Sequence, residues 1–140
     1  MKEVTIIRRE RFSSAHKLWN PKWSEEKNNS TFGGCSNPNW HGHNYELIVK
    51  VKGEIDPETG FVMNLKDLSK ILKSKVIDKL DHKNLNLDVD FLKDKNTTTE
   101  VVAVSIWEEI EEDIEKKGAK LVSVKINETE NNSVEYFGEN

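Results

Sequence analysis

The chain is 140 residues long, 35% hydrophobic and 33% charged, with 25 acidic and 21 basic side chains and a formal charge of −4. That length is one domain, residues 1–140, and because the two signs are mixed along it no basic stripe is offered to a phosphate backbone, so nucleic acid is not an expected partner. No apolar run approaches the ~20 residues that span a bilayer, so no membrane partner is expected either.

The first residues lack the apolar core of a secretory signal, and the single cysteine, Cys35, cannot form an intrachain disulfide. Both point to a cytoplasmic setting. The thin apolar content predicts that part of the core is completed between subunits.

Residues 3–16 hold Val4, Ile6, Ile7 and Phe12 without Gly or Pro and predict a first strand, on which Phe12, Ser14 and His16 share a face. Residues 17–40 contain Pro21, Gly33, Gly34, Pro38 and three of the four tryptophans, and predict a long, partly packed loop that presents Cys35. A second strand from His41 to about Gly53 carries His41, His43, Tyr45, Leu47, Val49 and Val51 on one face. After a turn at Asp56–Gly60, Phe61–Met63 is expected to return briefly as strand.

Apolar residues at Leu65, Leu68, Ile71, Leu72, Val76 and Leu80 then predict a helix that delivers Asp81-His82 at its C-terminal end. The run Thr97-Thr98-Thr99-Glu100 offers caps and an acidic first turn to a second helix, with Val101, Val104, Trp107, Ile110 and Ile114 inward and Gly118 as its stop. Lys120–Glu128 alternates again, placing Val122, Val124, Ile126 and Glu128 on one face, and Ser133–Phe137 is a short last strand. This order predicts an α+β fold, a four-stranded antiparallel sheet with two helices on one face.

Histidines at i and i+2 on a strand point the same way, so His41 and His43 can share a metal ion, and His16 at the end of another strand supplies a third imidazole. The spacing leaves two outcomes open. With Cys35 as fourth ligand the set is a closed structural zinc cage, and without it the ion keeps an open catalytic position. Glu128, on an apolar face, either leaves the core for solvent or meets a partner that uses its charge, such as the adjacent N–H donors of an aminopyrimidine-type ring. Asp81-His82 reads equally as a helix C-cap and as a proton relay. Cys35 reads as a small buried hydrophobe or as a thiolate of depressed pKa beside the metal.

Six segments, Phe12-Ser13-Ser14-Ala15-His16, Cys35 through Tyr45, Gly53-Glu54-Ile55-Asp56-Pro57, Leu80-Asp81-His82-Lys83-Asn84-Leu85, Thr98-Thr99-Glu100 and Glu128-Thr129, together resemble the 6-pyruvoyl-tetrahydropterin synthase family. The likeness extends over essentially the whole chain. It implies the tunnelling fold, in which such subunits form trimeric barrels that stack in pairs as a homohexamer with active sites between subunits. It also implies that His16, His41 and His43 hold Zn2+, one per subunit, and that Cys35, Asp81 and His82 are catalytic proton handlers. Glu128 would anchor a pterin ring, with Thr98 and Thr99 helping to hold it.

The implied reaction converts 7,8-dihydroneopterin triphosphate to 6-pyruvoyl-tetrahydropterin with loss of triphosphate, which Mg2+ can accompany. Side-chain alcohols are oxidised while the ring imine is reduced, so no nicotinamide or flavin is required. A related branch, 6-carboxy-tetrahydropterin synthase of queuosine biosynthesis, acts on the same substrate, but its cysteine usually stands closer to the His-Gly-His pair. The five residues between Cys35 and His41 favour the pyruvoyl enzyme. From another class, a non-catalytic zinc-stabilised assembly module would use the same imidazoles. Trp40, where a smaller residue is common, and residues 17–30 depart from the family pattern. Arg8, Arg9 and Arg11 are the candidate basic cluster for the triphosphate.

Overall fold

Two fourteen-residue strands, β1 (Glu3–His16) and β2 (His41–Glu54), pair antiparallel along their whole length, with Glu3 opposite Glu54 and His16 opposite His41. They are the centre of the computed structural model, which describes residues 2–139. β4 (Lys120–Asn127) adds to β2 and β5 (Ser133–Tyr136) adds to β4, both antiparallel. These four strands are the antiparallel sheet that alternation predicts. A fifth, β3 (Lys83–Asn84), lies parallel to the end of β1, so the sheet is mixed, in the order β3-β1-β2-β4-β5. β3 was not expected because two residues carry no periodic pattern. Tertiary backbone bonds make it a strand, from His82 N–H to the Ser13 carbonyl at 2.7 Å and from Leu85 N–H to the Ala15 carbonyl at 2.8 Å.

Three helices rather than two accompany the sheet. α1 (Glu25–Phe32) lies inside the stretch expected to be irregular. Apart from Phe32 at its end, its sequence is polar, so it shows no amphipathic period. Local chemistry holds it instead. The Ser24 hydroxyl accepts from the Lys27 amide at 3.0 Å, and Glu25 and Glu26 stand in its first turn. The fully buried Asn28 amide bonds Asn20 and Ser24 on three sides.

α2 (Leu65–Leu72) runs on through a π-helical turn, Lys73–Ile77, into a last α turn, Asp78–Leu80. Leu68, Leu72, Val76 and Leu80 are fully buried along it, whereas Leu65 is largely exposed. α3 (Thr99–Lys116) buries Val102, Ala103, Ile106, Trp107, Ile110 and Ile114, so Val101 and Val104, expected inward, lie half-buried on its flanks. Gly118, at φ +84°, ends it as expected. Phe61–Met63 is a bend rather than a strand, with the Phe61 carbonyl accepting from the Asp56 amide.

The core forms where these helices cover the sheet face of Phe12, Tyr45, Leu47, Val49 and Val51. A bulge in the β2–β4 pairing sets Val51 opposite Leu121 and Lys50 opposite Ser123. The residue between them, Val122, is left half-buried, and Leu121 takes the core place that strict alternation assigns to Val122. Truncating a buried side chain such as Ile110 to Ala should cost about 2–5 kcal/mol of folding stability, whereas Leu87→Ala, at a position 70% exposed, should stay within about 0.5 kcal/mol. Urea titration at one fixed protein concentration measures both.

Candidate metal centre and substrate site

The β1–β2 register sets His16 opposite His41 and Ser14 opposite His43, so the three imidazoles meet on one sheet face. Their ring centroids lie 4.5, 5.0 and 5.3 Å apart, and their candidate ligand nitrogens all fall within 4.8 Å of one another. His16 is 1% exposed, and its Nδ1 faces the Thr97 carbonyl at 2.8 Å. A carbonyl only accepts, so Nδ1 carries the proton and Nε2 presents its lone pair. That Nε2 is buried without a partner, as is His41 Nδ1. Orphaned buried imidazole nitrogens are costly, and a metal ion is the partner that this donor set fits.

Burial lowers the pKa of His16, against an upward pull from its bond to Thr97, with His41 and His43 adding to the lowering and Glu128 opposing it. Burial and then His43 lower His41, again opposed by Glu128. Both are thereby biased toward the neutral form that ligates metal. Cys35 does not join the metal-capable group, which among the described residues is His16, His41 and His43. The closed cage of four protein ligands is therefore not assembled.

Glu128 stands just past β4, and the sheet carries it back to this face. Its Oε1 lies 4.0 Å from His43 Nε2, and its Oε2 accepts from the Thr99 hydroxyl. Its own amide donates to the Asn132 carbonyl at 3.0 Å, fixing the turn into β5. Glu128 thus faces the imidazoles instead of leaving for solvent, in a depression that Thr99, Glu100, Asn132, Ser133 and Val134 also line. The neighbouring threonines divide the remaining work. Thr98 caps α3 by accepting from the Val101 amide at 3.2 Å, while the Thr97 hydroxyl donates to Asn86 Oδ1 at 3.0 Å. Nothing in the sequence singles out Thr97 beyond its place before the helix cap. A main-chain carbonyl that orients a ligand leaves no mark in residue type.

Cys35 is half-buried in the 3-10 turn Gly33–Ser36. Its carbonyl accepts from the Leu18 amide at 2.7 Å, which ties the cysteine turn to the chain two residues beyond His16. The Lys17 ammonium lies 5.1 Å from the ring of Trp19 and 5.0 Å from that of Trp40. The loop therefore closes on itself beside the metal ligands at both of its ends.

Asp81 and His82 are placed differently. Asp81 Oδ1 accepts from the Ser13 amide at 2.8 Å, and its Oδ2 meets His82 Nδ1 at 3.0 Å. The Ser13 bond, ahead of the His82 contacts, holds the Asp81 carboxyl below the usual carboxylate range. His82 has φ +59°, and its side chain is 84% exposed. It opens on a cleft lined by Ser13, Ser14, Ala15, Gly42, His43 and Asn44, so one of the three imidazoles borders the same cleft. One chain therefore gathers His16, His41, His43 and Glu128, while the Asp81-His82 pair, across the cleft from His43, is bonded to Ser13 rather than to any of them among the described residues. The arginines do not form one cluster. Arg8 pairs with Glu10 at 3.0 Å, while Arg9 and Arg11 share Glu46 at 3.3 and 3.4 Å.

A family model described as 6-pyruvoyl tetrahydropterin synthase matches residues 5–139. The 6-pyruvoyl tetrahydrobiopterin synthase of Pongo abelii is 47% identical over 137 residues, covering 98% of this chain and 93% of the relative. The solved structure of Caenorhabditis elegans 6-pyruvoyl tetrahydropterin synthase superposes with a TM-score of 0.92 at 42% identity, covering 99% of this chain and 98% of that one. The 6-carboxy-5,6,7,8-tetrahydropterin synthase of Bacillus subtilis is 35% identical over 82 residues, covering 56% of this chain and 52% of the relative.

The lowered imidazoles give the metal-free protein a definite pH response. Below about pH 6.5, the value of a free imidazole, the unfolded chain binds protons that folded His16 and His41 refuse. Stability should therefore fall with pH from there until the lowered folded values are passed. Thermal melts of chelator-treated protein should show that fall, and His41→Asn should make it shallower.

Proposed function

The chain belongs to the 6-pyruvoyl tetrahydropterin synthase family, and we infer that it is a 6-pyruvoyltetrahydropterin synthase of tetrahydrobiopterin biosynthesis. It converts 7,8-dihydroneopterin triphosphate to 6-pyruvoyl-tetrahydropterin, releasing triphosphate. The observation that carries this reading is the meeting of three imidazoles, two with buried unpartnered nitrogens, beside a carboxylate 4.0 Å from His43.

His16, His41 and His43 are the residues that would hold the metal, and an all-imidazole set of three suits zinc with an open position. When bound, the ion supplies Lewis acidity that acidifies C–H and O–H bonds of the substrate side chain. Glu128 accepts from adjacent N–H groups of the pterin ring, and the Thr99 hydroxyl fixes the carboxylate for that contact. Thr98 acts more remotely, by starting α3 where Thr99 can reach Glu128.

The Cys35 thiolate removes a carbon-bound proton, and the Asp81-His82 pair takes and returns protons at the side-chain oxygens. Oxidation of the alcohols is balanced by reduction of the ring imine within the same molecule.

Because the His82 side chain is 84% exposed and, among the described residues, bonds to none of the imidazoles of its own chain, we assign the pair to the site of a neighbouring subunit. The open edge of β1 is consistent with such an assembly. β3 covers only Ser14 and Ala15 of that strand, leaving most of its fourteen residues to pair with another copy in a hexamer of two stacked trimers. The carboxy-forming alternative is supported by a match to little more than half of the chain, against nearly full-length matches to pyruvoyl enzymes.

Cys35→Ala should keep zinc and assembly but lose at least ~100-fold in turnover. If that variant sheds its zinc, Cys35 is a ligand and its role as base fails. Mass spectrometry of the wild-type product should find a pyruvoyl group at ring position six, and a carboxyl group there would identify the other branch. Co-expressing Cys35→Ala with His82→Ala should restore about a quarter of the sites if the pair serves a neighbour, and none if each chain serves itself.

A further inference from the structure

Tyr45 continues the stripe of His41 and His43 and lies opposite Phe12 in the β1–β2 register. Its ring is held on several sides. It stacks on Phe12 with centroids 4.8 Å apart, and sets its edge to His43 at 5.4 Å and to His16 at 6.1 Å. The residue is 1% exposed, yet its hydroxyl has no hydrogen-bond partner among the described residues. A buried tyrosine hydroxyl ordinarily finds one, and phenylalanine would fill the same space without the desolvation cost.

The unpartnered hydroxyl belongs to a group. Five buried side-chain polar atoms lack a hydrogen bond among the described residues, and three of them, His16 Nε2, His41 Nδ1 and Tyr45 Oη, sit on this one face. The first two are explained by metal. The ring contacts of Tyr45 with His43 and His16 put the phenol beside the metal-capable set.

We propose that the Tyr45 hydroxyl is a substrate-binding group, donating a hydrogen bond to an oxygen of the three-carbon side chain at pterin position six when that side chain lies at the three imidazoles. This rests on the pterin reading of the site. The phenol acts as a donor and needs no ionisation. It accounts for a tyrosine where packing asks only for an aromatic ring, and it gives the site a means of recognising the side chain that is separate from recognition of the ring by Glu128.

The test compares zinc-loaded wild type and Tyr45→Phe in fluorescence titrations with two unreactive pterins, neopterin, which carries the hydroxylated side chain, and 6-methylpterin, which does not. Tyr45→Phe should weaken neopterin about tenfold, leave 6-methylpterin unchanged, keep its zinc and assembly, and melt no lower than wild type when free of ligand. An equal effect on both pterins, or on neither, overturns the proposal and leaves the hydroxyl with a bound water only. Loss of zinc also overturns it, by making the phenol a support of the metal set. So does failure to fold, since a hydroxyl without a protein partner is not needed for folding. If wild type binds neither pterin, the pterin reading itself fails and takes the proposal with it.

Discussion

The in-register pairing of β1 with β2 is the constraint on which the site depends. Side chains alternate with a period of two, so sliding one strand by a single residue would move His41, His43 and Tyr45 to the far face and leave His16 alone. The apolar residues that follow, Leu47, Val49 and Val51, are fully buried against the helices and would have to cross with them. Burial of this stripe therefore fixes the position of the imidazoles. The register alone brings the three imidazoles together on one face.

The start of α3 provides the second layer of support. Three successive threonines do three different things there. The carbonyl of Thr97 orients His16, the hydroxyl of Thr98 satisfies an amide at the helix terminus, and the hydroxyl of Thr99 holds Glu128. One helix end is thus coupled both to a candidate metal ligand and to the Glu128 carboxylate. Such coupling gives the site its definition at low cost, because the groups used are ones that any helix start must satisfy.

Where a period ran for several residues the element was readable, though not every inward residue, since Leu65, Val101 and Val104 lie off the core. β1, β2, the long helices and the antiparallel order of the four main strands all follow from alternation or helical spacing. So does the shared face of His16, His41 and His43. What was missed lacks periodicity. α1 is polar but for Phe32 and held by Ser24 and Asn28, and β3 is two residues long and exists only through its bonds to Ser13 and Ala15. The bulge that exchanges Val122 for Leu121 depends on the partner strand. The position of Asp81-His82 was hidden for a different reason. Spacing says that the pair ends a helix, but only the bond from the Ser13 amide shows where it docks on β1.

The π-helical turn at Lys73–Ile77 bears on that placement. Leu68, Leu72, Val76 and Leu80 recur every four residues, and in a helix of 3.6 residues per turn each such step overshoots the core by about 40°. Over three steps the error would approach a third of a revolution and carry Leu80 off the sheet. A wider turn in the middle corrects the phase, so that Leu80 is still fully buried and the next residue meets Ser13. The bulge acts as a timing correction in the chain. A helix with one residue more than regular winding accommodates can still release Asp81 and His82 at the angle the site requires.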